Sequence, residues 1–311
     1  MLNTHIPTVE SLTENAVLQT LAYFEVFSYP LTQEEVFDFC GEASASRIEV
    51  SETLQRLVAQ GRIFQFGSFF QAKDESSWAT QRLHCNRLAD EFLPKARDMA
   101  RFIGQFPFVR GVFVSGSLSK HCMRPEGDVD FFIVTDPGRL WLARTLLVIF
   151  KKIFLLNSHK YFCVNYFVDT AHLEIEEKNL FTATESVTLL PMWGGEFYEA
   201  FCQANVWAWR IYPHFAMRAT SEVPPHSRSL FKKNLELMLR GSFGSWLDKK
   251  AMRFTVSFWK RKFRHLDSSS FDLALKSRRG VSKHHPLHFQ EKVLARLEAN
   301  LNALKNAGKH P

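Results

Sequence analysis

The chain has 311 residues and a formal net charge of +7, which is enough length for two or three domains, each with its own core. Its five cysteines (Cys40, Cys85, Cys122, Cys163, Cys202) form no CxxC pair and no zinc-ligand spacing. An odd, scattered set points to reduced, mostly buried thiols in a cytoplasm. The longest apolar run, residues 140–156, is broken by Arg144, Lys151 and Lys152. It is therefore expected as a buried helix and not a membrane span, and no signal-like segment opens the chain. The charge is uneven: Lys+Arg against Asp+Glu number 4 and 11 over residues 1–75, 15 and 14 over 76–213, and 20 and 7 over 214–311. These three stretches are the expected domains, and a polyanion would bind the last of them.

Residues 15–27 place Val17, Leu18, Leu21, Ala22, Phe24 and Val26 at helical spacing, and Tyr29-Pro30 ends that helix. Thr32-x-x-Glu35 is a capping box that opens a short second helix. A third helix buries Val50, Leu54, Leu57 and Val58, ends near Gln60, and takes Gly61 as its C-cap. Residues 62–66 and 69–72 flank Gly67-Ser68 as a β-hairpin. Three helices followed by a hairpin resemble a winged-helix domain, with the hairpin as the wing. Such domains often read DNA through the third helix. Here that helix offers Glu49, Glu52, Gln55 and Arg56 within an acidic segment. DNA affinity needs Lys and Arg against phosphates, so a packing or protein-contact module is expected instead.

A charged helix is predicted over residues 78–104, kinked or divided at Pro94. Val112-Phe113-Val114 then forms a short strand that runs into the turn Ser115-Gly116-Ser117, and Asp128-Val129-Asp130 opens a second strand through Val134. Residues two apart on a strand share a face, so Asp128 and Asp130 project together while Val129 and Phe131 face the other way. Adjacent carboxylates raise each other's pKa unless a cation sits between them, and oxygen-only ligands suit Mg²⁺ or Mn²⁺. The glycine lets a phosphate approach the backbone.

Gly116-Ser117 followed by Asp128-Val129-Asp130-Phe131 resembles the core motif of the polymerase-β-like nucleotidyltransferase superfamily. The close match is confined to residues 111–136, with weaker likeness over 80–215. The resemblance implies an α+β fold with a mixed sheet and flanking helices. It implies transfer of a nucleoside monophosphate from a nucleoside triphosphate to an acceptor hydroxyl, with pyrophosphate released. Asp128 and Asp130 would then be catalytic and hold Mg²⁺ or Mn²⁺. Gly116 and Ser117 would hold phosphates, and Lys120, in the following helix, would contact one. In this superfamily the next strand, here residues 161–169, usually supplies a third carboxylate. This chain has Asn165 at mid-strand, a weak amide ligand, and Asp169 four residues on along the same face. Asp169 is the candidate third carboxylate, with a solvated turn residue as its other reading; Glu174 and Glu176 are later candidates. The acceptor (small molecule, RNA or protein) stays open. So do two alternatives: a nucleotide-binding regulator with weak or lost transfer, and a nucleic-acid-binding regulator.

Residues 180–213 read as helical and rich in aromatic side chains, Phe181 among them; a purine could stack on one of these rings, and most are expected as core. Beyond Val223-Pro224-Pro225 a basic helical region is expected, with helices over 230–239, 246–263 and 286–304. Trp259 to Arg264 and Lys276 to Arg279 are its densest basic clusters, suited to a triphosphate, to an RNA strand, or to a basic face that complements the acidic N-terminal segment. Pro286 misaligns His284, His285 and His288, so no metal site is expected there. A membrane is not expected among the partners.

Overall fold

The computed structural model describes residues 9–154, 162–227, 229–264, 271, 275–283 and 289–307. The fold is α+β. Its first part contains α1 (Val9–Glu25), β1 (Leu31–Thr32), α2 (Gln33–Asp38), α3 (Arg47–Ala59), β2 (Phe64–Phe66) and β3 (Phe69–Gln71), with the strands joined antiparallel in the order β1-β3-β2. Local chemistry sets these boundaries. Thr32 and Glu35 form a capping box on α2, and Ser46 and Glu49 form another on α3. Helix α3 stops where Gly61 turns left-handed (φ 66°) and the Arg62 amide reaches back to the Leu57 carbonyl.

Helix α4 (Ser77–Gly104) runs unbroken through Pro94, where a kink or division was predicted. Ala89 and Phe92 before the proline, and Ala96, Ala100 and Ile103 after it, are buried in one core. Packing along the whole helix offsets the lost backbone bond.

The larger sheet contains β4 (Val109–Ser115), β5 (Asp130–Thr135), β6 (Cys163–Asp169), β7 (Leu190–Trp193), β8 (Ser277–Arg278) and β9 (Val281–Lys283), in the order β7-β4-β5-β6-β9-β8. It is mixed: β5 is antiparallel to β4 and parallel to β6, reached through the crossover helix α5 (Leu140–Phe154). Alternate residues of β5 enter different cores. Phe131 and Ile133 pack with α4 and α5, whereas Phe132 and Val134 pack with Tyr198 and Phe201 of α7 (Gly195–Ala204). Two further helices, α6 (Leu180–Thr188) and α8 (Val206–Ile211), share the core of the N-terminal part.

Two predicted features are corrected. Residues 180–213 are not all helical, because β7 pairs with β4 as an edge strand, a place that tolerates Pro191. Nor is the C-terminal third an independent helical region. Its helices are α9 (Leu230–Met238), α10 (Ser242–Lys262) and α11 (Phe289–Ala307). Helix α10 packs on α5, α11 packs on α1, and β9 extends the large sheet at β6. His284, His285 and His288 lie outside the described residues. Among the described residues, no helix is long and apolar enough to cross a membrane.

Buried charges bind α9 to the start of β4. Arg110, only 2% exposed, donates to Glu236 at 2.8 Å and through Nε to Asp136 at 2.7 Å. Glu236 also accepts from the Phe108 amide at 2.8 Å. Lys232 Nζ donates to the carbonyls of Gly104 and Val109 at 2.6 and 2.8 Å. Removing one partner of a buried set strands the others without water. Glu236→Ala should therefore cost about 3–5 kcal/mol of unfolding free energy in urea titration. A loss under about 1 kcal/mol would show that water replaces the carboxylate.

Candidate active site

The site forms at the end of the sheet where β4 leaves and β5 enters. Ser115 pairs with Asp130, so the turn after β4 sits beside the first residue of β5. Gly116 has φ 67°, and a Cβ there would stand 2.8 Å from Asp130 Oδ2. The turn therefore needs glycine for its backbone and for the closeness of that carboxylate. Val129 and Phe131 are fully buried in the core, which leaves Asp128 and Asp130 on the opposite side as their alternation predicts.

On the other flank of β5, Asp130 pairs with Cys163. The register then slips, Phe131 facing Val164 and Phe132 facing Tyr166, so Asn165 is the extra residue of a bulge. Its amide donates to Asp130 Oδ1 at 2.9 Å. Ligand atoms of Asp128, Asp130 and Cys163 lie within 4.8 Å of one another. Burial first, and then the charge of Asp128, raise the Asp130 carboxyl to about 7. Burial, followed by the charges of Asp130 and Asp128, also pushes the Cys163 thiol up. Lys151 of α5 feels both Cys163 and Asp128, although burial is what chiefly depresses its own pKa. Two half-buried carboxylates held together at a cavity wall fit a divalent cation, which would relieve their repulsion. The thiol of Cys163 adds a softer donor to the set.

These groups open into a cavity of about 1140 Å³. One wall is the motif: Gly116, Ser117, Lys120, Asp128, Asp130 and Asn165. The facing wall is aromatic and comes from three distant stretches: Phe24 and Phe27 from α1 and its exit, Phe181 from α6, and Phe289 from α11. The N-terminal part is fixed to the motif loop. Tyr29 donates through its hydroxyl to the Lys120 carbonyl at 2.5 Å. Arg82 of α4 stacks on the Tyr29 ring at 3.8 Å and pairs with Glu35 at 2.6 Å. From the other side, the Met123 amide donates to the Cys85 carbonyl of α4 at 3.0 Å.

The structure brings Gly116, Ser117, Lys120, Asp128, Asp130 and Asn165 together and removes Asp169. Asp169 pairs with Thr135 at the opposite end of β6 from Cys163, about 20 Å along the strand. There it is 1% exposed and accepts from the Ala171 amide at 3.0 Å and from His172 at 2.6 Å, so it is a structural turn residue. Glu174 and Glu176 are also engaged elsewhere, Glu174 with Lys178 and Glu176 with Lys276 and Arg278. Lys120 lies on a single 3-10 turn, Leu118–Lys120, where a helix was expected. Its Nζ donates to the Gly116 carbonyl at 3.1 Å and to Glu185 at 2.8 Å. Cys163, Glu185, Lys283 and the wall residues Phe24, Phe27 and Phe289 were not found from the sequence, whereas Phe181 is among the rings considered for stacking. Cys163 directly precedes Asn165's neighbour Val164 on a strand already singled out, so the strand's start was the available signal. Glu185 and Lys283 carried none.

Because the native chain holds the Asp130 proton more tightly than the unfolded chain, metal-free stability should fall as pH rises from about 4 to about 7. Asp130→Asn removes that dependence. Thermal melts without metal should show the variant more stable than wild type at pH 8, with the gap closing toward pH 4; a gap independent of pH would contradict this. Gly116→Ala should cost about 1–2 kcal/mol and displace the Asp130 carboxylate, read by melting and by weakened divalent-cation binding.

No family model, curated protein or solved structure matches the chain, so what the site does has to follow from its own geometry.

Proposed function

We propose that the chain is a metal-dependent nucleotidyltransferase, moving a nucleoside monophosphate from a nucleoside triphosphate to an acceptor hydroxyl. The observation that carries this is the meeting of Asp128 and Asp130 with the Gly116 turn at one end of a cavity larger than a single small ligand requires. In this reading the large sheet is a nucleotidyltransferase-like core and the N-terminal helices and hairpin are a winged-helix-like module. That module serves to wall the cavity, since Phe24, Phe27 and Tyr29 line it.

Asp128 and Asp130 would hold Mg²⁺ or Mn²⁺, with Cys163 beside them. Such an ion, when bound, would supply charge neutralisation for the phosphates and for the entering and leaving oxygens. Gly116 and Ser117 admit the triphosphate tail to the backbone, and Lys120 reaches it by exchanging Glu185 for phosphate. The acceptor oxygen bonds to the α-phosphorus, its proton passes to the carboxylate pair, and the bond to the β-phosphate oxygen breaks to release pyrophosphate. The aromatic wall takes the base or the acceptor's apolar part. All five cysteines are free, which suits a reducing cytoplasm.

The Asn165 contact favours a second reading. An amide occupies the Asp130 oxygen on the side where a third carboxylate would be expected. A site of two acids could bind metal and nucleotide yet transfer slowly, which makes a nucleotide-sensing regulator. Pyrophosphate release from each nucleoside triphosphate, with Mg²⁺ or Mn²⁺ and cell extract as acceptor source, separates the two. Transfer predicts release and labelled product that fall to background in Asp128→Ala/Asp130→Ala. Metal-dependent binding without release establishes the regulator, and neither binding nor release overturns both.

A further inference from the structure

We propose that the outer face of α10 is a docking surface for an anionic membrane. The face lies outside the cavity and stands whether or not nucleotidyl transfer is the activity. It also departs from the sequence-based expectation that no membrane is among the partners.

Helix α10 is apolar on two opposite sides. Met252, Val256 and Trp259 pack into the core over α5. Phe243, Phe254 and Phe258 lie on the other side, about half a turn away, and stand in water. Phe254 is 76% exposed, a value at which its ring contributes little to folding. Trp246, 52% exposed, stacks on Phe243 at 6.0 Å. The preceding helix α9 also presents Phe231, Leu237 and Met238, each more than 70% exposed, the last two only a few residues before Phe243 in the chain. At the end of α5, Ile153 and Phe154 are 62% and 69% exposed. Patches of this kind mark interaction sites.

Charge identifies the occupant. Helix α10 carries Lys249, Lys250, Arg253, Lys260, Arg261 and Lys262, all exposed. Its one carboxylate, Asp248, is 2% exposed and accepts from the Leu142 amide at 2.8 Å. The outer face therefore presents cations and aromatic rings with no acid among them. A second copy of the chain would set this cationic face against itself in a two-fold contact. A single-stranded nucleic acid would use the cations and the rings, but bases do not stack on Leu237, Met238 or Ile153. An anionic bilayer uses everything present: headgroups meet the Lys and Arg, and the rings and aliphatic side chains enter the interface. With cations at nearly every turn, the helix would lie on the membrane and not cross it.

The test is co-sedimentation of the whole protein with vesicles of phosphatidylcholine alone, or of phosphatidylcholine mixed with phosphatidylglycerol. Binding should need the anionic lipid and weaken with salt. It should weaken roughly fivefold for each charge removed in Lys250→Gln, Arg253→Gln and Arg261→Gln. Phe254→Ser/Phe258→Ser should lower partitioning roughly tenfold or more while lowering the melting temperature only slightly, because Phe254 is 76% and Phe258 53% exposed. Equal binding to both vesicle types overturns the proposal, as does anionic binding that survives loss of both rings. A dimer in sedimentation velocity that the Phe pair abolishes would assign the face to a second copy. Binding to polyuridylate that needs the cations but not the rings would assign it to nucleic acid. Either of those results, without vesicle binding, also overturns it.

Discussion

The arrangement depends on the repulsion between two carboxylates that the backbone holds together at a buried sheet end. Strand β5 is paired on both sides, by β4 and by β6, so Asp130 has no freedom to withdraw toward solvent. The Gly116 turn closes over one of its oxygens and the Asn165 amide takes the other. Asp128 lies just before the strand, on the same side. The acid at the centre of this cluster is raised to about 7 because burial disfavours its charged form and a like charge is near. A divalent cation bound between the two carboxylates would relieve that repulsion, and the proposed function rests on this.

The cavity around that cluster is built from parts far apart in sequence. The motif loop is bound to α4 by Met123 and to the N-terminal part by Tyr29, and Arg82 joins those two supports. Helices α1, α6 and α11 share one core, and each contributes a phenylalanine to the wall facing the acids. The acidic N-terminal segment and the basic C-terminal third are therefore not separate modules. They meet across α1 and α11, where Asn300 donates to the Ala22 carbonyl at 3.1 Å. One basic cluster of that third is partly consumed by the central part: Lys276 is buried and paired with Glu176 and Glu177. The cations of α10 face outward.

Much of this was legible in the residues. Capping boxes, the Gly61 stop and the hairpin are encoded within a few positions, and local chemistry decides them. The Asp128/Asp130 alternation and the Gly116 turn were legible for the same reason. Long-range packing decided the rest. Pro94 reads as a break, but a buried stripe on both sides of it keeps α4 whole. Leu190–Trp193 reads as helix until β4 is available to pair with it. Asp169 fits the strand's period of two but sits at the wrong end, because period fixes a face and not a position along it. Cys163 and Asn165 meet Asp130 only through the register of a parallel pair and its bulge, and no single strand contains that information.

The most direct test of the central claim is calorimetric titration of the protein with a non-hydrolysable nucleoside triphosphate analogue, with Mg²⁺ or Mn²⁺ and then with chelator. The account predicts one metal-dependent site per chain, lost in Asp128→Ala and in Asp130→Ala while both variants stay folded. Binding of equal strength in chelator, or binding unchanged by either substitution, would contradict it.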